Sequence, residues 1–193
     1  MKALSLSRPW GWAILHLGKR IENRQRRDGR MPSLCRHRGP LLLHAAKSWD
    51  KHAEQWIEEH DLDDGHGTLL RTQNAHPAGV VFARCTVIGT IHPHGSGVVD
   101  DGTAWPPEGI DLRWHMRAQY GLILADVEPT PLVPCKGALG LWTVPEHVLM
   151  TLALASTARE TLGPAIGDCF IHGAFSGNDC PDCVAERRAA GYP

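Results

Sequence analysis

Residues 5–24 read SLSRPWGWAILHLGKRIENR, and the changes of character along this stretch decide the fold. Residues 3–6, Ala-Leu-Ser-Leu, alternate as a short strand does. Pro9 suits the first turn of a helix, where its missing N–H is not needed, and Ser7 or Arg8 is the expected cap. Trp10, Ala13, Ile14 and Leu17 form a helical stripe that predicts at least one tryptophan in the core, and Gly18 is a natural stop. Ile21 then opens a second strand within KRIENR. Glu22 and Arg24 lie two apart on that strand and share a face. A short helix anchored by tryptophans thus delivers Lys19, Glu22 and Arg24 to one region.

Further along, RQRRDGRMPSLCRHR has no apolar period and contains Gly29 and Pro32, so it reads as an exposed loop. GPLLLHAAK (39–47) predicts a buried strand. SWDKHAEQWIEEH predicts an amphipathic helix capped by Ser48, with Trp49, Ala53, Trp56 and Ile57 facing inward. AGVVFARCTVIGTIHP (78–93) carries the longest β signal, with Cys85 in the core. Residues 94–107 read as a Gly/Pro-rich loop and 108–118 as a short helix. QYGLILADVEPTPLVPC (119–135) predicts a strand, with Pro129, Pro131 and Pro134 excluding a long central one. GALGLWTV (137–144) is a final short strand or turn, and residues 145–162 form a helix opened by Pro145. Short strands outnumber helices and do not alternate with them in a βαβ rhythm. The class is therefore α+β, favouring a small mixed or closed β-barrel with flanking helices over a doubly wound sheet.

The chain has 193 residues, enough for one ordinary domain and a small appendage, here 1–162 and 163–193. Its 42% hydrophobic and 21% charged content is that of a soluble globular protein, and a net charge of -1 gives no global attraction to nucleic acid. The distribution is uneven. Lys19, Arg20, Arg24, Arg26, Arg27, Arg30, Arg36 and Arg38 face only Glu22 and Asp28 in the same span, whereas residues 54–64 are acidic. One positive and one negative surface are expected, either as binding faces or as solvated ones. No apolar run approaches the ~20 residues of a membrane span, and the N-terminus lacks a secretory pattern. No membrane partner is expected, and the cytoplasm is the default location.

Four blocks in order resemble the ASCH domain: ALSLSRPWGWAILHLGKRIENR, RGPLLLHAAKSWD, AGVVFARCTVIGTI and YGLILADVEPTPLVPCKGALGLW. The resemblance covers roughly residues 3–150. It implies a PUA-like small β-barrel of a kind associated with RNA, with a cleft beside the first helix lined by a Lys-x-x-Glu-x-Arg set. In this chain that set is Lys19, Glu22 and Arg24. Family proteins often carry Gln before the Pro-Trp pair. Arg8 stands there instead and adds positive charge beside the cleft.

Each residue of the set has its own chemistry. Arg24 offers a fork of parallel N–H donors to a phosphate or a base edge. Glu22 can accept from an exocyclic amine, as carboxylates do with cytosine. Lys19, if desolvated, loses basicity and can serve as a base or orient a water. Trp10 or Trp12 can stack an unpaired base, and His44 and Lys47 extend the site from the adjacent strand. The bland alternatives are an ordinary surface ion pair for Glu22 and Arg24, helix capping by Lys19, and a hydrogen-bonded core role for His44.

The preferred function is binding of RNA or a modified nucleotide. The runner-up is hydrolysis, with Lys19 and Glu22 as catalytic residues. A bacterial branch of the resembled family cleaves acetylcytidine with a lysine, a threonine three residues later and a distant glutamate. Lys19 matches the lysine, Glu22 stands at the threonine position, and the glutamate has no assignable counterpart. Other members resemble ribonucleases.

CFIHGAFSGNDCPDC places Cys169 and His172 in one close pair and Cys180 and Cys183 in another. A spacer containing Gly177 and Asn178 lets the pairs fold back together. A Cys₃His set is a closed tetrahedral site for structural zinc, in a segment too short for its own core. Buried thiols or a disulfide are the alternatives. Such a tail staples the C-terminus to the barrel or serves as a protein-interaction module.

Overall fold

Alternation along Lys2–Arg8 builds the first strand, β1, with Ala3 on one face and Leu4 and Leu6 on the other, all buried. This computed structural model describes residues 1–25, 28–62, 77–99 and 105–162. The elements that follow β1 are α1 (Trp10–His16), β2 (Ile21–Arg24), β3 (Gly39–Trp49), α2 (Ala53–Glu59), β4 (Val80–Ile91), β5 (Gly97–Val99), β6 (Tyr120–Pro134), β7 (Leu141–Thr143) and α3 (Glu146–Leu162). The result is an α+β fold around a seven-stranded mixed sheet in the order β2-β6-β4-β3-β1-β7, with β5 added to β4. Only β1 and β3 run parallel; the other pairs are antiparallel.

Strands β2 and β1 are separated by three strands along that order. Yet Arg24 on β2 donates from Nη2 to the Ser5 carbonyl on β1 at 3.0 Å. The sheet therefore curls strongly, as right-twisted strands do. Inside the curl, Leu4 and Leu6 pack with Ile14, Leu43, Phe82 and Leu122. Helix α3 lays Val148 and Leu152 over Ala3 and Val81 on the opposite face. A third cluster joins Trp10, Trp12 and Ala13 of α1 to Ala53 and Ile57 of α2 and to Trp114. Both tryptophans of the opening stretch are core residues. No described helix is long and apolar enough to cross a membrane.

The end of α1 controls where the charged residues go. Gly18 takes φ +66°, a left-handed conformation that costs glycine little. The chain reverses there, and the Lys19 N–H returns to the Ala13 carbonyl at 3.1 Å. The Arg20 side chain, not that of Lys19, covers the helix end, donating from Nη1 to the Ile14 carbonyl at 2.6 Å. Lys19 is left free to turn inward.

Several sequence expectations are corrected. Strand β3 continues through Ser48 and Trp49, so neither belongs to α2. Ser48 instead meets the Ser7 hydroxyl at 3.1 Å across the parallel pair. Helix α2 begins after His52, and the Asp50 carboxylate receives the His52 N–H at 3.0 Å. Strand β6 is long and lies between β2 and β4 despite its prolines. Its partnership with β2 involves only Tyr120–Ile123, so Pro129, Pro131 and Pro134 fall where that edge has no strand partner among the described residues. A missing N–H costs no ladder bond there, and register shifts against β4 absorb the rest. The 94–107 segment contains β5, and 108–118 supplies only a 3-10 turn at Leu112–Trp114. The segment expected as an exposed loop holds a 3-10 turn, Ser33–Arg36, that buries Cys35.

Candidate functional site

Three charged side chains converge at the start of β2. The Glu22 carboxylate sits between two cations: Oε2 lies 2.9 Å from Lys19 Nζ, and Oε1 lies 2.8 Å from Arg24 Nη2. Lys19 Nζ also donates to the Ile21 carbonyl, and it lies 5.5 Å from the centre of the Trp10 ring. Relative exposures of 1% for Lys19, 7% for Glu22 and 26% for Arg24 grade the set from floor to rim. This excludes the alternative of an ordinary surface pair, and Arg20 takes the capping role. Glu22 and Arg24 share a face of β2, as the alternation requires. Asn23, on the other face, donates to the Trp114 carbonyl and accepts from the Met116 N–H, both at 2.9 Å.

Burial pushes the Glu22 carboxyl up. The charges of Lys19 and Arg24 and their hydrogen bonds more than reverse this, holding it below the usual carboxylate range. Burial lowers the Lys19 pKa, and Glu22 opposes that change. The geometry is that of an ammonium and a carboxylate: every Nζ contact is to a carboxylate, a carbonyl or a ring face, each of which favours the protonated amine.

Arg24 is the member a ligand can reach. One nitrogen, Nη2, serves both Glu22 and Ser5, while Nε is buried without a hydrogen-bond partner among the described residues. The arginine-rich segment comes close as well. Arg38 donates to the Cys35 carbonyl at 3.0 Å. Burial raises the Cys35 thiol to about 11 against the pull of Arg24 and Arg38, so the cysteine remains a protonated core residue. Arg26 and Arg27 lie outside the described residues.

The remaining sequence candidates sit in different places. Trp10 is buried and donates from its indole to Asp50 Oδ2 at 2.9 Å, so it floors Lys19 instead of standing at a mouth. Arg8 donates to the Lys47 carbonyl at 2.7 Å and lies 5.9 Å from the centre of the Trp49 ring. Lys47 is exposed and runs its side chain past Gly79.

His44 is paired in register with Ser5, the residue whose carbonyl receives Arg24. It is buried, and its Nε2–H donates to the Cys135 carbonyl at 3.0 Å. Burial lowers its pKa, so the ring is neutral and Nδ1 is a bare acceptor with no partner among the described residues. Gly137 covers it: a Cβ there would lie 2.6 Å from both His44 Nδ1 and Ser5 Oγ. Trp142 donates to Ser5 Oγ at 3.1 Å and meets the His44 ring edge-on at 5.6 Å between centres.

Ser5, Gly137 and Trp142 were not singled out from sequence. Gly137 lies in the CKGALG run, where a glycine after Lys136 was the available signal. Cys169, His172, Cys180 and Cys183 lie outside the described residues. Among the described residues no group of His, Cys, Asp and Glu is arranged to hold a metal. No protein-family model matches the chain, and no curated protein matches it.

Proposed function

We propose that the chain is an ASCH-type, PUA-like domain whose curled sheet forms a small barrel, and that it binds RNA or a modified nucleotide at Lys19, Glu22 and Arg24. One observation carries this reading: a buried carboxylate clasped by two cations, with the surplus cation at the rim. The set carries one net positive charge, and Arg24 holds it where solvent enters. A guanidinium fixed on one side by Glu22 and Ser5 pays less entropy on meeting a phosphate or base edge than a free one. His44, beside Ser5, extends the same neighbourhood on β3.

A second reading is hydrolysis of an acylated nucleoside or of RNA. What favours it is the buried Glu22 carboxylate beside the Lys19 ammonium, in which Glu22 can accept a proton from water while Lys19 orients that water. In that reaction Lys19 and Glu22 activate a water once a substrate displaces their mutual contact. The proposed zinc in the Cys169, His172, Cys180 and Cys183 tail plays a structural part in either reading, and it supports a protein-interaction role only if nucleotide binding fails.

The test is a binding titration with short RNAs, cytidine and acetylcytidine over a salt series, with turnover followed in the same samples. RNA affinity is expected to fall as salt rises, because phosphate contacts release counterions. Arg24→Gln should weaken RNA binding and reduce the salt slope by about one contact. Affinity indifferent to both salt and Arg24 would overturn the binding reading. Product formation abolished by Lys19→Met, in a variant shown to be folded, would favour hydrolysis.

A further inference from the structure

A second pocket, of about 440 Å³, lies away from the Lys19 set and is lined by Pro93, His94, Gly95, Leu112, His115 and Arg117. Two loops build it. The turn after β4 is closed by Gly95 N–H to the His92 carbonyl at 2.9 Å, and the Ala118 N–H ties the second loop to the Pro93 carbonyl at 3.0 Å. The second loop is fixed to β2 by the two Asn23 hydrogen bonds described above. His115 donates from Nε2 to the Gln119 carbonyl at 2.9 Å, which sets its ring orientation. His94 stacks near His92 at 5.9 Å between centres, and His92 meets Tyr120 at 5.7 Å. These are positioned rings on a braced wall.

The lining has one sign. Two imidazoles and a guanidinium contribute, and no carboxylate lines the pocket among the described residues. Asp111, next to Leu112, is engaged by Arg113 at 2.8 Å, which neutralises the nearest acid in the sequence. Pro93 and Leu112 add an apolar wall. The volume falls in the range of small-ligand sites, and more room is present than a bare anion needs.

We infer that this pocket binds a phosphate monoester of a small organic group, distinct from the nucleotide cleft proposed above. Arg117 takes two phosphate oxygens through its fork, and a ring N–H of His94 donates to the phosphate beside the His115 ring. The organic part lies on Pro93 and Leu112. Asn23 lies between Glu22 and Arg24, so an occupied pocket braces the opposite face of the strand that carries the first site.

The experiment follows the ring protons of His94 and His115 by NMR while inorganic phosphate, cytidine 5′-monophosphate and cytidine are added at matched ionic strength. Both phosphates should shift the two rings saturably, the monophosphate at lower concentration, and cytidine should leave them unmoved. Arg117 is exposed, so Arg117→Gln should fold. It should weaken both phosphates about tenfold, the worth of one charge-assisted hydrogen bond. Arg24→Gln should leave these shifts intact, so failure of this pocket and failure of the cleft are separable. Shifts reproduced by chloride alone, or unchanged affinity in Arg117→Gln, would overturn the inference.

Discussion

Replacing Lys19 by methionine tests the floor of the site, because methionine keeps most of the length and loses the charge. The substitution removes an ion pair at 2.9 Å, a donor to the Ile21 carbonyl and a cation over the Trp10 ring. Removing one partner of a buried pair costs about 3–5 kcal/mol, mostly from the charge left behind. Here Glu22 retains Arg24 at 2.8 Å, which pulls the figure toward the lower end, about 3 kcal/mol. For a chain of this size that is a melting-temperature drop of roughly 6–12 °C. Adding Glu22→Gln removes the stranded charge. The double variant should then be less destabilised than the two single changes summed, by about 1–3 kcal/mol. Urea denaturation of the four proteins gives the cycle directly. A Lys19→Met cost below about 1 kcal/mol, or a strictly additive cycle, would mean a solvated pair and would refute the buried-floor argument.

Four further outcomes are expected. The Glu22 pKa is depressed in the folded state, so its stabilisation is complete above the ordinary glutamate value near 4.3 and is lost as pH falls toward the folded pKa. Stability measured from pH 6 down should show this loss, and Glu22→Gln should flatten that part of the curve; an unchanged acid limb would contradict it. The His44 pKa is also depressed, so the unfolded chain binds the extra proton first, and stability should decline as pH drops below about 6.5. His44→Phe should remove that slope, and Gly137→Ala, whose Cβ meets the ring at 2.5 Å, should destabilise by about 1–3 kcal/mol. For the tail, metal analysis should find one zinc per chain, lost in Cys180→Ser together with Cys183→Ser; a metal-free native protein would remove the zinc proposal.

How much of this was legible can be traced residue by residue. The strand–helix–strand order of the opening stretch was, because alternation, Pro9 and Gly18 are local signals. The convergence of Lys19, Glu22 and Arg24 followed from the helix stop and the period of β2. Their grading from floor to rim did not. Lysine is rarely buried, and only the competition from Arg20 for the helix end shows why Lys19 turns in. The span of β6 was read nearly in full, but its central place in the sheet was not, because proline is excluded from strands paired on both sides and the sequence does not say that β2 covers only its first part. The His44–Gly137 contact joins residues far apart in the chain. No periodicity within either segment encodes it.

The grading has a consequence for recognition. Two cations and one carboxylate leave a single positive charge, and burial of Lys19 and Glu22 places the low-dielectric side of the site beneath Arg24. A charge backed by protein is screened less than one surrounded by water, so the field at the rim is stronger than an exposed arginine alone would give. Glu22 limits that gain, because it occupies Nη2 and fixes the guanidinium plane. The result is a narrow donor edge with a set direction. Arg24→Lys keeps the charge and loses the fork, so it should retain the salt dependence of RNA binding while losing discrimination among bases. Retention of both would show that the site reads charge alone, and would remove Glu22 from any part in orienting the ligand.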